Sequence, residues 1–133
     1  MRQFLEVPTR IHNAIIILCF LAGYKEKYAA SLNLIRKNLN LSYEYLEQIV
    51  PPLKKAGLIK SYRGSAGGYR LAKKAETISF WDVISALEGD VRVADCVSGG
   101  RCKIEKKCPS KRIHMKLQEE LSKSLAKIKI SNF

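Results

Sequence analysis

Between Ser31 and Ala72 the order of helix caps, apolar spacing and turn residues leaves few folds open. Ser31 caps a helix running to Leu39, in which Leu32, Ile35 and Leu39 recur at helical spacing. Asn38-Leu39-Asn40-Leu41 turns the chain, and Ser42 caps a further helix, Tyr43 to Ile49, with Tyr45, Leu46 and Ile49 inward. Pro51-Pro52 predicts a break, because an interior proline forfeits a backbone bond, followed by a short helix from Pro52 to Ala56 that Gly57 stops. Leu58–Tyr62 and Tyr69–Ala72 then read as two strands joined by Arg63-Gly64-Ser65-Ala66-Gly67-Gly68, a glycine-rich hairpin tip. Helix, turn, helix and basic hairpin in this order make a winged helix-turn-helix, mainly α with a small β-hairpin wing.

The flanks complete the plan. Thr9 to Tyr24 predicts a helix with Thr9 as its N-cap, apolar nearly all round and therefore buried against more than one neighbour. Ser79 with Asp82 resembles a capping box that opens a helix to Leu87, ended by Gly89. A loop from Asp90 to Cys108 leads to a long helix, about Pro109 to Ile130. Ile113, Leu117, Leu121, Leu125 and Ile128 form a single apolar stripe along one face of it, suited to its own domain or to pairing with a second copy. The expected division is 1–89 for the winged helix, 90–108 for the cysteine loop and 109–133 for a dimerisation helix.

Charge narrows the partner. The chain carries 24 Lys and Arg against 12 Asp and Glu, which favours a polyanion, although a basic face can also serve solubility alone. Arg36 to Lys74 holds nine basic residues against two acidic ones, so the excess gathers on the helix-turn-helix and wing. In double-stranded DNA the second helix of such a unit enters the major groove by its N-terminal residues, here Ser42, Tyr43, Glu44 and Glu47. Ser42 is equally well explained as a cap; Glu47 could be a solvated helix residue, but an acid inside a basic patch would repel phosphate, which favours base contact or an intramolecular partner. Lys60, Arg63 and Arg70 would neutralise phosphates, with Arg63 able to enter the minor groove. Gly64, Gly67 and Gly68 allow the tight turn and close approach to the backbone. No phosphate loop, paired carboxylates or hydrolase elbow occurs, and the two histidines lie far in sequence from the cysteines, so an enzyme is not expected. The apolar run Ile15–Leu21 is too short to span a bilayer, and Pro8, Arg10 and His12 interrupt the start, so neither membrane nor leader is expected and the cytoplasm is the expected compartment.

Cys96, Cys102 and Cys108 are spaced with five residues in each gap, while Cys19 sits in an apolar run where a thiol behaves as a small hydrophobe. In a reducing compartment clustered cysteines bind metal more often than they cross-link. Zinc pairs are usually two to four residues apart, so these wider gaps suit a loop wrapped around an iron–sulfur cluster, [2Fe–2S] or [4Fe–4S]. A thiol redox switch near Lys103, Lys106 and Lys107, and inert thiols, are the alternatives.

These residues resemble a known family. Tyr45-Leu46-Glu47-Gln48, Leu53-Lys54-Lys55-Ala56-Gly57-Leu58-Ile59, Ser61-Tyr62-Arg63-Gly64 and Gly67-Gly68-Tyr69-Arg70-Leu71 are similar to the Rrf-type winged-helix regulators, which include IscR- and NsrR-like iron–sulfur sensors. Ile78, Asp82-Val83, Ala86-Leu87-Glu88-Gly89 and the cysteine trio extend the resemblance over nearly the whole chain. It implies a homodimeric transcriptional regulator in which Cys96, Cys102 and Cys108 hold a cluster that senses nitric oxide, redox state or iron. It also implies base reading by Tyr43, Glu44 and Glu47 and a minor-groove role for Arg63. IscR-like members carry a fourth ligand, histidine, three residues past the last cysteine, where this chain has Lys111; NsrR-like members draw one from the first helix of the partner subunit, at the position of His12 here. Glu6, Asp95 and His114 are further candidates. The alternative function is a regulator of the same fold without a cluster, controlled by thiol oxidation or by a protein partner.

Overall fold

The computed structural model describes residues 5–100 and 102–132; residues 1–4, 101 and 133, which belong to the three expected divisions, lie outside them. The described residues form five α-helices and one antiparallel hairpin, besides short 3-10 turns: α1 Thr9–Gly23, α2 Leu32–Leu39, α3 Tyr43–Lys55, β1 Ile59–Tyr62, β2 Gly68–Leu71, α4 Phe80–Glu88 and α5 Pro109–Lys127. Helix α1 lies at the centre and packs against α2, α3, α4, β2 and the end of the chain. Its buried side chains Ile11, Ala14, Ile17, Leu18 and Leu21 join Ile35, Leu46, Ile49, Leu53, Leu58 and Val83 in one core.

The capping serines act as expected. Ser31 Oγ accepts from the Leu34 N–H at 3.1 Å and Ser42 Oγ from the Tyr45 N–H at 3.2 Å, each answering a donor that the first helical turn leaves unpaired. Ser79 and Asp82 form the full capping box, at 3.1 and 2.9 Å. Between α2 and α3 the turn is Asn40–Ser42, with Asn40 in the left-handed region at φ 52°. At the other end of α3, Gly57 at φ 75° lets the Leu58 N–H reach Leu53 O and its own N–H reach Lys54 O, both 3.0 Å, which closes the helix.

Three expectations are corrected. Thr9 is the first helical residue and not the cap: the Pro8 carbonyl accepts the His12 N–H at 3.1 Å, which gives Pro8 the capping position without a side-chain acceptor. Nor does α3 break at Pro51-Pro52. An interior proline costs about 3 kcal/mol. Against that, Leu46, Ile49, Val50 and Leu53 are buried on one side of α3, and each such burial contributes about 1.5–3 kcal/mol. Only a continuous helix buries all four. The carbonyls freed by the prolines belong to Glu47 and Gln48, two exposed residues on the side of α3 away from the core. Finally, α5 ends at Lys127 and not Ile130. The chain there turns extended and pairs with residues 78–80: the Phe80 N–H donates to Ile128 O at 2.8 Å and the Ile130 N–H to Ile78 O at 3.0 Å. This return carries Ile130 into the core, so the winged-helix unit draws on residues well beyond 89.

The hairpin pairs Ile59 with Leu71 and Tyr62 with Gly68. The linker before α2 adds a third element, because Ala30 and Tyr69 exchange backbone bonds at 3.1 and 2.8 Å. That approach requires glycine at 68, where a Cβ would strike the Ala30 carbonyl. Gly68→Ala should therefore lower stability by about 1–3 kcal/mol, whereas Gly23→Ala, which meets open space at the end of α1, should be neutral or slightly stabilising. Urea unfolding of the two variants measures the difference.

Candidate nucleic-acid interface and cysteine loop

Burial of one side of α3 leaves an exposed arc on the other. Tyr43, Glu44 and Glu47 all lie on it, and so does Gln48, which falls on the same face one turn after Glu44 and was not among the expected contacts. Tyr43 is held from α2: its hydroxyl donates to Asn33 Oδ1 at 2.9 Å, and the Arg36 guanidinium lies over its ring at 4.7 Å. Arg36 Nη2 also donates to Asn33 Oδ1, at 3.3 Å. Ser42 is exposed, with its hydroxyl engaged as the cap.

On the wing, Lys60 and Arg63 are exposed, with Lys60 Nζ 5.7 Å from the Tyr62 ring centre. Gly67 sits where a Cβ would meet the Tyr62 and Gly64 carbonyls, so its role is to close the tip. Arg70, expected as a phosphate contact, also has a role within the chain. Its Nη2 donates to the carbonyls of Glu26 and Lys27 at 2.6 and 2.8 Å, so it ties the wing to the loop between α1 and α2. Strand pairing sets Arg70 opposite Lys60, and the two carbonyls offset that like-charge neighbour.

The cysteine loop leaves α4, packs its Asp95–Ser98 turn on α5 and is bonded there through the amide of Gln118. Gln118 Nε2 donates to Val91 O and its Oε1 accepts from the Val93 N–H, each at 2.8 Å. No sequence pattern distinguished this glutamine from other helix-surface residues. Two 3-10 turns, Asp95–Ser98 and Glu105–Lys107, give the loop local order. Cys96 and Cys108 are half-buried, Cys102 is exposed, and none of the four cysteines is in a disulfide. Cys108 precedes α5 and pairs with Ser110 Oγ at 2.9 Å. That contact, followed by the backbone N–H groups of Lys111 and Ser110, holds its thiol pKa below the ordinary value; burial raises that of Cys19.

Three soft thiols on one loop suit a cluster by the chemistry of the donor set, but they do not converge within one chain. Among the described residues no three His, Cys, Asp or Glu side chains are close enough to hold one ion. His12 is exposed on the first turn of α1. Asp95 lies 3.5 Å from Arg92, Glu6 is exposed, and His114 is half-buried on α5 with its Nδ1 unpartnered.

Fold and exposed arc define a winged helix-turn-helix protein. The family model Rrf2, described as an iron-dependent transcriptional regulator, matches residues 7–133, and the chain belongs to that family. It is 39% identical over 87 residues to the HTH-type transcriptional regulator CymR of Bacillus subtilis, covering 65% of this chain and 63% of that protein. The chain thus spans just under two thirds of that relative's length. Among solved structures, CymR (YrzC), the global cysteine regulator of B. subtilis, superposes with a TM-score of 0.76 at 31% identity, covering 96% of this chain and 95% of the other. The IscR of T. potens superposes with a TM-score of 0.73 at 30% identity, covering 96% and 85%. These relatives are transcriptional regulators and not enzymes, as expected. No helix among the described residues is long and apolar enough to cross a membrane.

The thiolate is the nucleophile, so a lowered pKa raises the reactive fraction near neutrality and keeps it present at lower pH. In reduced, iron-free protein at pH 7, iodoacetamide should label Cys108 well ahead of Cys19, and Ser110→Ala should slow Cys108. Peptide mass spectrometry of timed samples checks both.

Proposed function

We propose that the chain is a cytoplasmic, homodimeric regulator that binds double-stranded DNA and whose affinity for it is set by an iron–sulfur cluster, [2Fe–2S] or [4Fe–4S], on the loop from 90 to 108. The observation that carries this reading is the set of three unpaired thiols on a loop fixed to α5 by Gln118. Cys96, Cys102 and Cys108 would hold the cluster, with His12 of the partner subunit as fourth ligand. Such a group supplies a centre sensitive to nitric oxide, oxygen and iron supply. The division of labour is 1–89 for DNA, 90–108 for sensing and 109–133 for pairing, with Ile130 also completing the core.

What this chain's own residues contribute is positioning. Ser42, Tyr43, Glu44, Glu47 and Gln48 face the major groove; Lys60, Arg63 and Arg70 neutralise phosphate; Gly67 shapes the wing, and Arg70 Nη2 also holds it in place. The pairing surface is the outer side of α5, where Ile113 and Leu117 are 68% and 47% exposed. Two recognition helices so joined meet half-sites about one helical turn apart, and a small change in their spacing alters affinity strongly.

A second reading, control by thiol oxidation without a cluster, is favoured by the separation of the thiols and the lowered pKa of Cys108. Anaerobically purified protein should contain iron and acid-labile sulfide, lose both in a Cys96→Ala/Cys102→Ala/Cys108→Ala variant, and change its affinity for operator DNA when both are removed. Iron-free protein whose DNA affinity still responds to peroxide through these cysteines would establish the second reading. Leu117→Glu should convert the dimer to monomer in sedimentation velocity and weaken operator binding at least tenfold.

A further inference from the structure

We propose that Tyr43 selects a base carrying an exocyclic amino group, adenine or cytosine on one strand, because Asn33 takes its only hydroxyl proton. The inference rests on α3 being the helix that enters the major groove. Tyr43 is the first residue of α3 and 44% exposed, and its hydroxyl lies 2.9 Å from Asn33 Oδ1.

Which atom donates is fixed by a third group. A guanidinium has only donors, and Arg36 Nη2 approaches the same Asn33 atom at 3.3 Å. The atom facing Arg36 must therefore be the amide oxygen and not its NH2 group. An amide oxygen accepts only, so the phenol must donate to it. Arg36, 4.7 Å from the ring centre, clamps the ring and limits its freedom to turn away.

A phenol carries one proton. With that proton committed, Tyr43 offers the groove a lone pair and nothing else. In the major groove the donors are adenine N6 and cytosine N4; guanine N7 and O6 and thymine O4 accept. Tyr43 thus discriminates amino from keto bases and leaves adenine and cytosine undistinguished. Its neighbours on the same arc, Glu44 and Glu47, offer carboxylate acceptors and bias the surface in the same direction.

The test is selection from a randomised duplex library with the full-length protein, followed by sequencing. Wild type should enrich a motif containing a position where A or C is favoured over G or T by about three- to tenfold, the range of one neutral hydrogen bond. Tyr43→Phe should flatten that position and leave the others in place. Asn33→Leu frees the proton and should admit G and T there, whereas Asn33→Asp, still an acceptor, should keep the preference. Thermal unfolding confirms that each variant is folded. An unaltered motif in Tyr43→Phe, or a Tyr43-dependent preference for G or T, overturns the inference while leaving the DNA-binding reading intact. A wild type that enriches no motif overturns that reading and the inference together.

Discussion

The structure depends on the one-sided burial of α3. Leu46, Ile49 and Leu53 are fully buried and Val50 nearly so, and this side locks the helix onto α1. The constraint is strong enough to carry a helix through two consecutive prolines, because interrupting it would withdraw Leu53 from the core. Everything proposed for DNA follows from what lies opposite: a polar arc of fixed orientation, entered through a capped N-terminus and followed by a hairpin anchored by its glycines. A recognition helix that could rock on its domain would have to lose freedom on binding; on the proposed reading α3, packed in this way, has little of that freedom left to lose.

The parts of the fold legible in the sequence were those with local chemistry. The serine caps, the capping box of Ser79 and Asp82, Gly57 and the basic hairpin act through atoms within a few residues of each other, so spacing reveals them. The misread parts were those decided at long range. Local propensity places a break at Pro51-Pro52, and it is overridden by burial on the far side of the helix. The bonds from Arg70 Nη2 to two carbonyls more than forty residues earlier in the chain are likewise invisible to spacing. Gln118, which bonds residues 25 and 27 positions away, has no signature in the sequence at all.

The stripe on α5 shows how a correct pattern can carry an incorrect geometry. Side chains four residues apart advance about 40° around a helix at each step, so Ile113 and Leu125 point roughly 120° apart. Accordingly the stripe is not confined to one face. Leu121 and Leu125 are partly covered by the chain itself, whereas Ile113 and Leu117 stand out in solvent. One winding stripe thus attaches the helix to its own domain at one end and leaves an apolar surface at the other, beside the cysteine loop.

That placement bears on how a loop event could reach the DNA-facing surface. The head of the loop is tied to α5 by Gln118, and the segment after α5 is tied to residues 78–80 at the start of α4 through the pairing of Ser79 with Lys129. Helix α4 in turn packs on α1 and α3. A displacement of the loop therefore has two exits. Outward, along the exposed half of α5, it would alter how two copies sit together; inward, through residues 128–130, it would have to disturb a close-packed core. Packed interiors resist small deformations, while interfaces between subunits rearrange at much lower cost. The outward route is the softer one, so on the proposed reading the angle between two copies, and not the internal shape of either, would carry a signal from the loop.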